Sequence, residues 1–234
     1  MIAIWKRDAD GFFRSPLGYV YIGAFITILN LYFFASCVLS SSSDITTPFA
    51  SMLVVLLFLT PILTMRLFSE EYKQGTDRLL LAAPVSVWEI VFGKFFAAMT
   101  VIVGCIAATL PWVVIIALFG TPAWATIIGC YIAVLCAAAT LVAMGTFLSS
   151  LTESQLIAAV MSFGLFLLLY IADMLGTSLS SGGVLATVLD WLSIFTRYDT
   201  FMGGQFALGD VVYFLSLTGF FLFLTARVIE RRRH

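Results

Sequence analysis

The chain has 234 residues, 62% of them hydrophobic and only 11% charged, with a formal net charge of −1. A soluble domain carries about 25% charged residues, and the surface of a fold this size could not conceal so much apolar side chain from water. These figures exclude an ordinary soluble enzyme or nucleic-acid-binding module and make lipid the solvent.

The first element in chain order is Ile2–Arg14. Ile2, Trp5, Ala9, Phe12 and Phe13 share a helical face, while Lys6, Asp10 and Arg14 follow one another at i, i+4 spacing. That pattern predicts a short amphipathic helix lying in the membrane interface; the plainer alternative is a flank that only keeps positive charge inside. Ser15-Pro16 then turns the chain into an apolar run. Within it, Phe34-Ala35-Ser36-Cys37 faintly resembles a lipoprotein cleavage site, but Phe34 replaces the usual branched aliphatic and five more spans follow. Met1–Gly18 therefore reads as mature protein.

A helix needs about 20 mostly apolar residues to cross the hydrocarbon of a bilayer. Six segments qualify: 17–39, 49–67, 90–119, 124–148, 155–175 and 211–227. Their few charges sit near the ends: Arg66, Lys94 about one turn inside the third span, Asp173, and Arg227, which can snorkel to extend the short last span. Pro61 and Pro111 are positions where a helix can kink. Gly129, Ala133 and Ala137 form an i, i+4 stripe on the fourth span, suited to close helix packing within the chain or between subunits. Gly120-Thr121-Pro122 separates the third and fourth spans. Ser149–Ser154 separates the fourth and fifth, with Ser150 and Glu153 expected as a capping box.

The basic residues predict the orientation. With the N-terminus in the cytoplasm, Lys6, Arg7, Arg14, Arg66, Lys73, Arg78, Lys94, Arg227, Arg231, Arg232 and Arg233 all fall inside. Of 12 Lys and Arg residues, only Arg197 is left outside, beside Asp44, Asp173, Asp190, Asp199 and Asp210. Positive charge is held on the cytoplasmic side during insertion, and six spans return the C-terminus to that side.

Two connections are more than turns. In Ser69–Glu89, Gly75 breaks one helix, Thr76 is a good N-cap, Asp77 suits a first turn and Pro84 stops the short helix. Ser86 and Glu89 then form a capping box for the third span. A helix so punctuated across the membrane face suits docking against a cytoplasmic partner; a helical hairpin tip without a partner is the alternative. The outer segment 176–210 is too apolar for an exposed loop, with Val184–Leu192 reading as a short helix and Gly203-Gly204 as a bend. Such a segment lies in the outer interface or dips back in where protein covers its backbone, lining an exit or forming a structural lid.

Much chemistry is missing from the sequence. No Gly-x-x-x-x-Gly-Lys-Ser/Thr loop occurs; Gly93-Lys94 is the nearest approach. The four cysteines Cys37, Cys105, Cys130 and Cys136 lie in apolar runs without metal-ligand spacing, and the one histidine is His234, so neither a metal site nor a Ser–His pair is expected. Paired mid-membrane carboxylates of a proton-driven pump are absent as well, and Asp173 reads as an interfacial acid in contact with water. A substrate moved uphill would draw its energy from another polypeptide.

Phe68–Leu80, followed by Ala83-Pro84-Val85-Ser86 and Gly93-Lys94, resembles the membrane subunit of type-two ABC exporters, in particular the permeases of gliding motility and nitrous-oxide-reductase maturation. Gly209–Leu217 is similar to that group's last span, and Trp191–Phe195 to its outer stretch, with Ile194 where relatives often have Pro. The resemblance implies an all-α membrane protein of one transmembrane domain: six transmembrane helices, an N-terminal interfacial elbow helix (1–16), a cytoplasmic coupling helix in loop 69–88, and short outer helices before the last span (176–210). It implies Glu70, Glu71, Lys73, Gly75, Thr76, Asp77, Arg78 and Leu79 as the ATPase-coupling residues, and Trp191, Phe195, Arg197 and Gly203 at an outer gate. It further implies a second permease subunit, the same or homologous, and separate cytoplasmic ABC ATPase subunits that bind ATP and Mg; this chain carries no cofactor, metal or catalytic residue of its own. An extracytoplasmic accessory subunit is compatible with it, the location is the bacterial inner membrane, and membrane lipid is the surrounding partner. The competing reading is a stand-alone six-helix secondary carrier, or the substrate-binding membrane subunit of an uptake system. A carrier is expected to show broken spans or buried ion-coupling acids.

Overall fold

The structure is a computed structural model that describes residues 1–40, 42, 44–75, 85–178, 193–203 and 208–233. Helix α1 (Ile2–Arg14) ends at Ser15, whose backbone is extended, and Pro16 opens α2 (Pro16–Phe33) at a position where its missing N–H costs nothing. The Ser15 hydroxyl caps the new helix by accepting from the Gly18 N–H at 3.1 Å. The elbow is tight: a Cβ on Gly18 would fall 1.9 Å from the Phe12 carbonyl oxygen. Only glycine fits there.

Helix α2 runs on through a π-helical turn, Phe34–Val38. Asp44 then accepts from the backbone N–H and hydroxyl of Thr46 at 2.9 and 2.7 Å, opening α3 (Thr46–Thr64), which keeps Pro61 inside it. A turn leads to α4 (Ser69–Gln74), stopped as expected by Gly75 in the left-handed conformation, φ 67°. Helix α5 (Val87–Ala107) starts with the predicted Ser86–Glu89 capping box. The third span is not one helix: it is interrupted at Ala108-Thr109 and resumes as α6 (Leu110–Phe119), with Pro111 in its first turn. The freed backbone is managed locally, the Thr109 hydroxyl donating to the Ile106 carbonyl at 2.7 Å and lying 3.1 Å from the Tyr131 hydroxyl.

Helices α7 (Trp124–Leu151), α8 (Gln155–Ser178), α9 (Ile194–Met202) and α10 (Leu208–Arg233) complete the described chain. The expected Ser150–Glu153 box does not form. Helix α7 continues through Ser150, whose hydroxyl turns back to the Phe147 carbonyl, and Ser154 instead accepts weakly from the Ile157 N–H. Long apolar helices cover Pro16–Val38, Thr46–Lys73, Val87–Phe119, Trp124–Leu151, Gln155–Gly176 and Leu208–Arg232, six candidate spans. They match the sequence expectation to within a few residues, except that the second and last run further toward the basic end.

Helices α3 and α7 form the centre and are largely buried, whereas α8 is largely exposed and lies at the rim. Gly129, Ala133 and Ala137 are buried against this chain's own helices, which settles the use of that stripe. Where α7 crosses α3, a Cβ on Gly145 would lie 2.3 Å from the Thr64 hydroxyl. Between apolar helices in lipid, close packing and interhelical hydrogen bonds replace the hydrophobic drive. Thr140 thus lies 3.1 Å from the Thr218 hydroxyl, joining α7 to α10, and Trp112 donates to Asn30 at 2.8 Å. Ser149 accepts from the Phe68 and Ser69 N–H groups and donates to the Met65 carbonyl, holding the turn between α3 and α4.

Candidate coupling and gate sites

Helix α1 lies along the start of α5. Trp5 donates its indole N–H to Thr100 at 2.8 Å, and a Cβ on Gly93 would sit 3.0 Å from Ile4. Only part of the apolar face read off the sequence packs against the protein. Ala9 and Phe12 are buried, but Ile2 is 69% and Phe13 41% exposed, because Ile4 and Asp8 supply the rest of the contact with α5.

Asp8 faces Lys94, the one basic residue of the third span. The Lys94 side chain is 2% exposed, and its ammonium lies 2.8 Å from Glu71 and 3.3 Å from Asp8. It also donates to the Leu67 carbonyl and sits 5.0 Å from the Phe68 ring centroid. Arg7 closes the group, 2.6 Å from Glu71 and 2.8 Å from Asp8. Burial works to lower the Arg7 pKa, but Asp8 and Glu71 outweigh it and the net direction is up. Beside this group Arg66 grips Glu70 through two bonds of 2.7 and 3.1 Å. Three cations and three anions line a cavity of about 360 Å³ between α1, the turn after α3, α4 and α5.

A buried lysine costs several kcal/mol unless it is paired and hydrogen-bonded; here two carboxylates and a carbonyl serve it. The consequence is mechanical. Elbow, loop helix and third span share one cation. Sequence reading placed Glu71 in the loop but missed Lys94, Asp8 and Arg7 as its partners. The available signal was Lys94 itself, because a cation inside an apolar run demands a counter-charge at the same depth.

The other expected loop residues are distributed as follows. Lys73 is exposed on α4, by Glu153 and Gln155 across a surface groove of about 520 Å³. Thr76, Asp77, Arg78 and Leu79 lie outside the described residues.

At the opposite end, α9 is held on three sides. Ser193 caps it, accepting from the Thr196 N–H at 3.0 Å, and both hydroxyls donate to Asp173 on α8. Tyr198, fully buried, donates to the Phe49 carbonyl on α3 at 2.6 Å. Arg197 reaches Asp210 on α10 at 2.8 Å and lies 4.3 Å from the Tyr213 ring centroid. Phe195 packs edge-on against Tyr170, 5.1 Å between centroids, and Gly203 ends the helix. Asp173, read as a water-contacting interfacial acid, is thus engaged by the hydroxyls of α9. Phe195, Arg197 and Gly203 of the expected gate belong to this one element; Trp191 lies outside the described residues.

Six long apolar helices, an N-terminal helix folded along the basic end and a short docked helix before the last span define a polytopic helical membrane protein. The chain belongs to the ABC-2 family transporter proteins, whose family model matches residues 10–229. It is a membrane-spanning permease of the ABC transporter class. No curated protein matches the chain.

Proposed function

We propose that the chain is the moving, non-catalytic half of an ATP-driven exporter in the bacterial inner membrane, with both termini cytoplasmic. Two permease subunits, the same or homologous, form the substrate path. Separate cytoplasmic ABC ATPase subunits bind ATP and Mg and push on loop 69–88. The observation that carries this reading is the Glu71–Lys94–Asp8 arrangement. A force on the loop displaces Glu71, and the buried ammonium passes it to α5 and to the elbow helix, since leaving any of these charges alone would be costly. Lys73, Thr76, Asp77, Arg78 and Leu79 make the direct contact with the ATPase, and Gly75 provides the break before it. Glu70 and Glu71 act through Arg66 and Lys94. Helix α9, with Phe195, Arg197 and Gly203, belongs to the outer gate, Trp191 completing it; an extracytoplasmic accessory subunit is compatible with this arrangement. Export follows from the narrower resemblance to gliding-motility and nitrous-oxide-reductase-maturation permeases.

Co-expression with any ABC ATPase encoded beside it tests the assignment. The two are expected to co-purify, and replacing 76–81 with a flexible linker should release the ATPase while leaving the membrane domain folded. Retention of the ATPase by the linker variant, or no ATPase with the intact chain, overturns the coupling proposal.

A further inference from the structure

At the basic end of the molecule the start of α5, the end of α7 and the end of α10 leave a groove of about 1120 Å³. Its inner wall is apolar and its rim carries Arg227, Glu230 and Arg231. Arg231 makes no ion pair or hydrogen bond among the described residues. Arg227 pairs with Glu230 at 3.1 Å, but the two side chains are 64% and 39% exposed, so water already competes for that pair and a better anion can replace it. The rim is net positive.

Below the rim the groove opens onto an aromatic track. Trp88 and Phe92 stack at 5.8 Å between centroids and Phe92 and Phe96 at 6.2 Å, up one face of α5. Phe223 of α10 approaches Trp88 at 6.2 Å, with the Arg227 guanidinium 5.2 Å from its ring centroid. Trp88, Phe96 and Phe223 are each about 40% exposed, at 39%, 43% and 43%. Cationic rim, tryptophan at the boundary and apolar track beneath follow the order of charge, glycerol level and acyl chain in a phospholipid.

We propose that this groove is a binding site for an anionic phospholipid. The phosphate is held by Arg227 and Arg231, and one acyl chain lies along Trp88, Phe92 and Phe96 against Phe223. Charge complementarity selects an acidic headgroup over a zwitterionic one, and bidentate guanidinium geometry suits phosphate. The assignment is independent of the transport cycle and requires only that the six long helices lie in a bilayer.

The test is native mass spectrometry of the full chain, released from nanodiscs of equal phosphatidylglycerol and phosphatidylcholine with matched acyl chains. The chain should retain phosphatidylglycerol preferentially, by about fivefold for each arginine engaged. Arg227→Gln with Arg231→Gln should remove the preference, while Arg14→Gln, on α1, should not. Arg231→Gln alone keeps the test readable if the double variant unfolds. Equal retention of the two lipids, or undiminished phosphatidylglycerol on Arg231→Gln and the double variant, overturns the proposal. So does a double variant that keeps its lipid but loses a co-expressed ATPase, which makes the groove a protein-docking surface.

Discussion

The ammonium of Lys94 and the carboxylate of Glu71 meet at 2.8 Å, with 2% and 17% of their side chains exposed. One belongs to the third span and the other to the short helix that opens loop 69–88, so the pair ties a membrane helix to the loop. Such a pair contributes little relative to well-packed apolar residues, but losing one partner strands the other.

Lys94→Met is therefore expected to lower stability by about 2–4 kcal/mol, somewhat below the full range for a buried pair because Arg7 still serves both acids. Adding Glu71→Gln should recover part of the loss, the mark of coupled residues. Thermal unfolding of the four-member cycle in nanodiscs measures both. A Lys94→Met chain as stable as the parent sinks the claim.

Gly145→Ala should destabilise by about 1–3 kcal/mol, the usual cost of overpacking, because its Cβ would meet the Thr64 hydroxyl at 2.3 Å and the Thr64 Cβ at 2.8 Å. Thr64→Ala removes the hydroxyl but not the Cβ, so the double variant should recover only in part. Full tolerance of Gly145→Ala would mean that α3 and α7 do not cross this closely.

Arg197→Gln should loosen α9. It removes the pair with Asp210, whose side chain is 11% exposed, and the stacking on Tyr213. Hydrogen exchange of Ile194–Met202 should accelerate by about tenfold, the equivalent of about 1.4 kcal/mol. Arg197→Lys should rescue incompletely, since an ammonium lacks the planar stacking surface. Unchanged exchange would show that Ser193 and Tyr198 suffice to hold the helix.

Asp199 on α9 has its pKa raised above the ordinary 3.8, by burial and then by the nearby Asp173 charge. The folded state thus binds its proton more tightly than the unfolded state does. On that account stability rises as pH falls through the raised value toward 3.8, and well above it the full destabilisation stays in place without further pH dependence. The side chain's own surface is exposed, so solvent keeps the effect small. Asp199→Asn should flatten this part of the pH–stability curve without lowering stability at pH 7; a steeper curve in the variant contradicts the assignment.

The proposed orientation has a direct check. Glu153 is 73% exposed at the basic end and Thr200 is exposed at the other. An impermeant maleimide added to intact cells whose outer membrane has been permeabilised should label Thr200→Cys, and Glu153→Cys only after the inner membrane is opened. The reverse pattern inverts the topology.

The six spans, the amphipathic first helix, the Gly75 break and the Ser86–Glu89 cap are all legible in the linear sequence, because each follows from local physics. Apolar length sets a span, backbone freedom sets the stop, and a serine three residues before a glutamate sets the start. The Ser150–Glu153 expectation shows the limit, since packing of α7 against its neighbours carried the helix past a good local cap. Which residues of α1 pack on the third span was likewise decided by the partner. Ile4 and Asp8 face inward because Gly93 leaves room for one and Lys94 needs the other. Tertiary structure alone joined Asp8, Glu71 and Lys94, separated by up to 86 positions, and docked α9 on α3 through a bond spanning 149. Hydropathy marks where a chain enters lipid; it carries no information on which charge meets which. That is settled by the cost of leaving a buried lysine alone, which only the folded arrangement can meet.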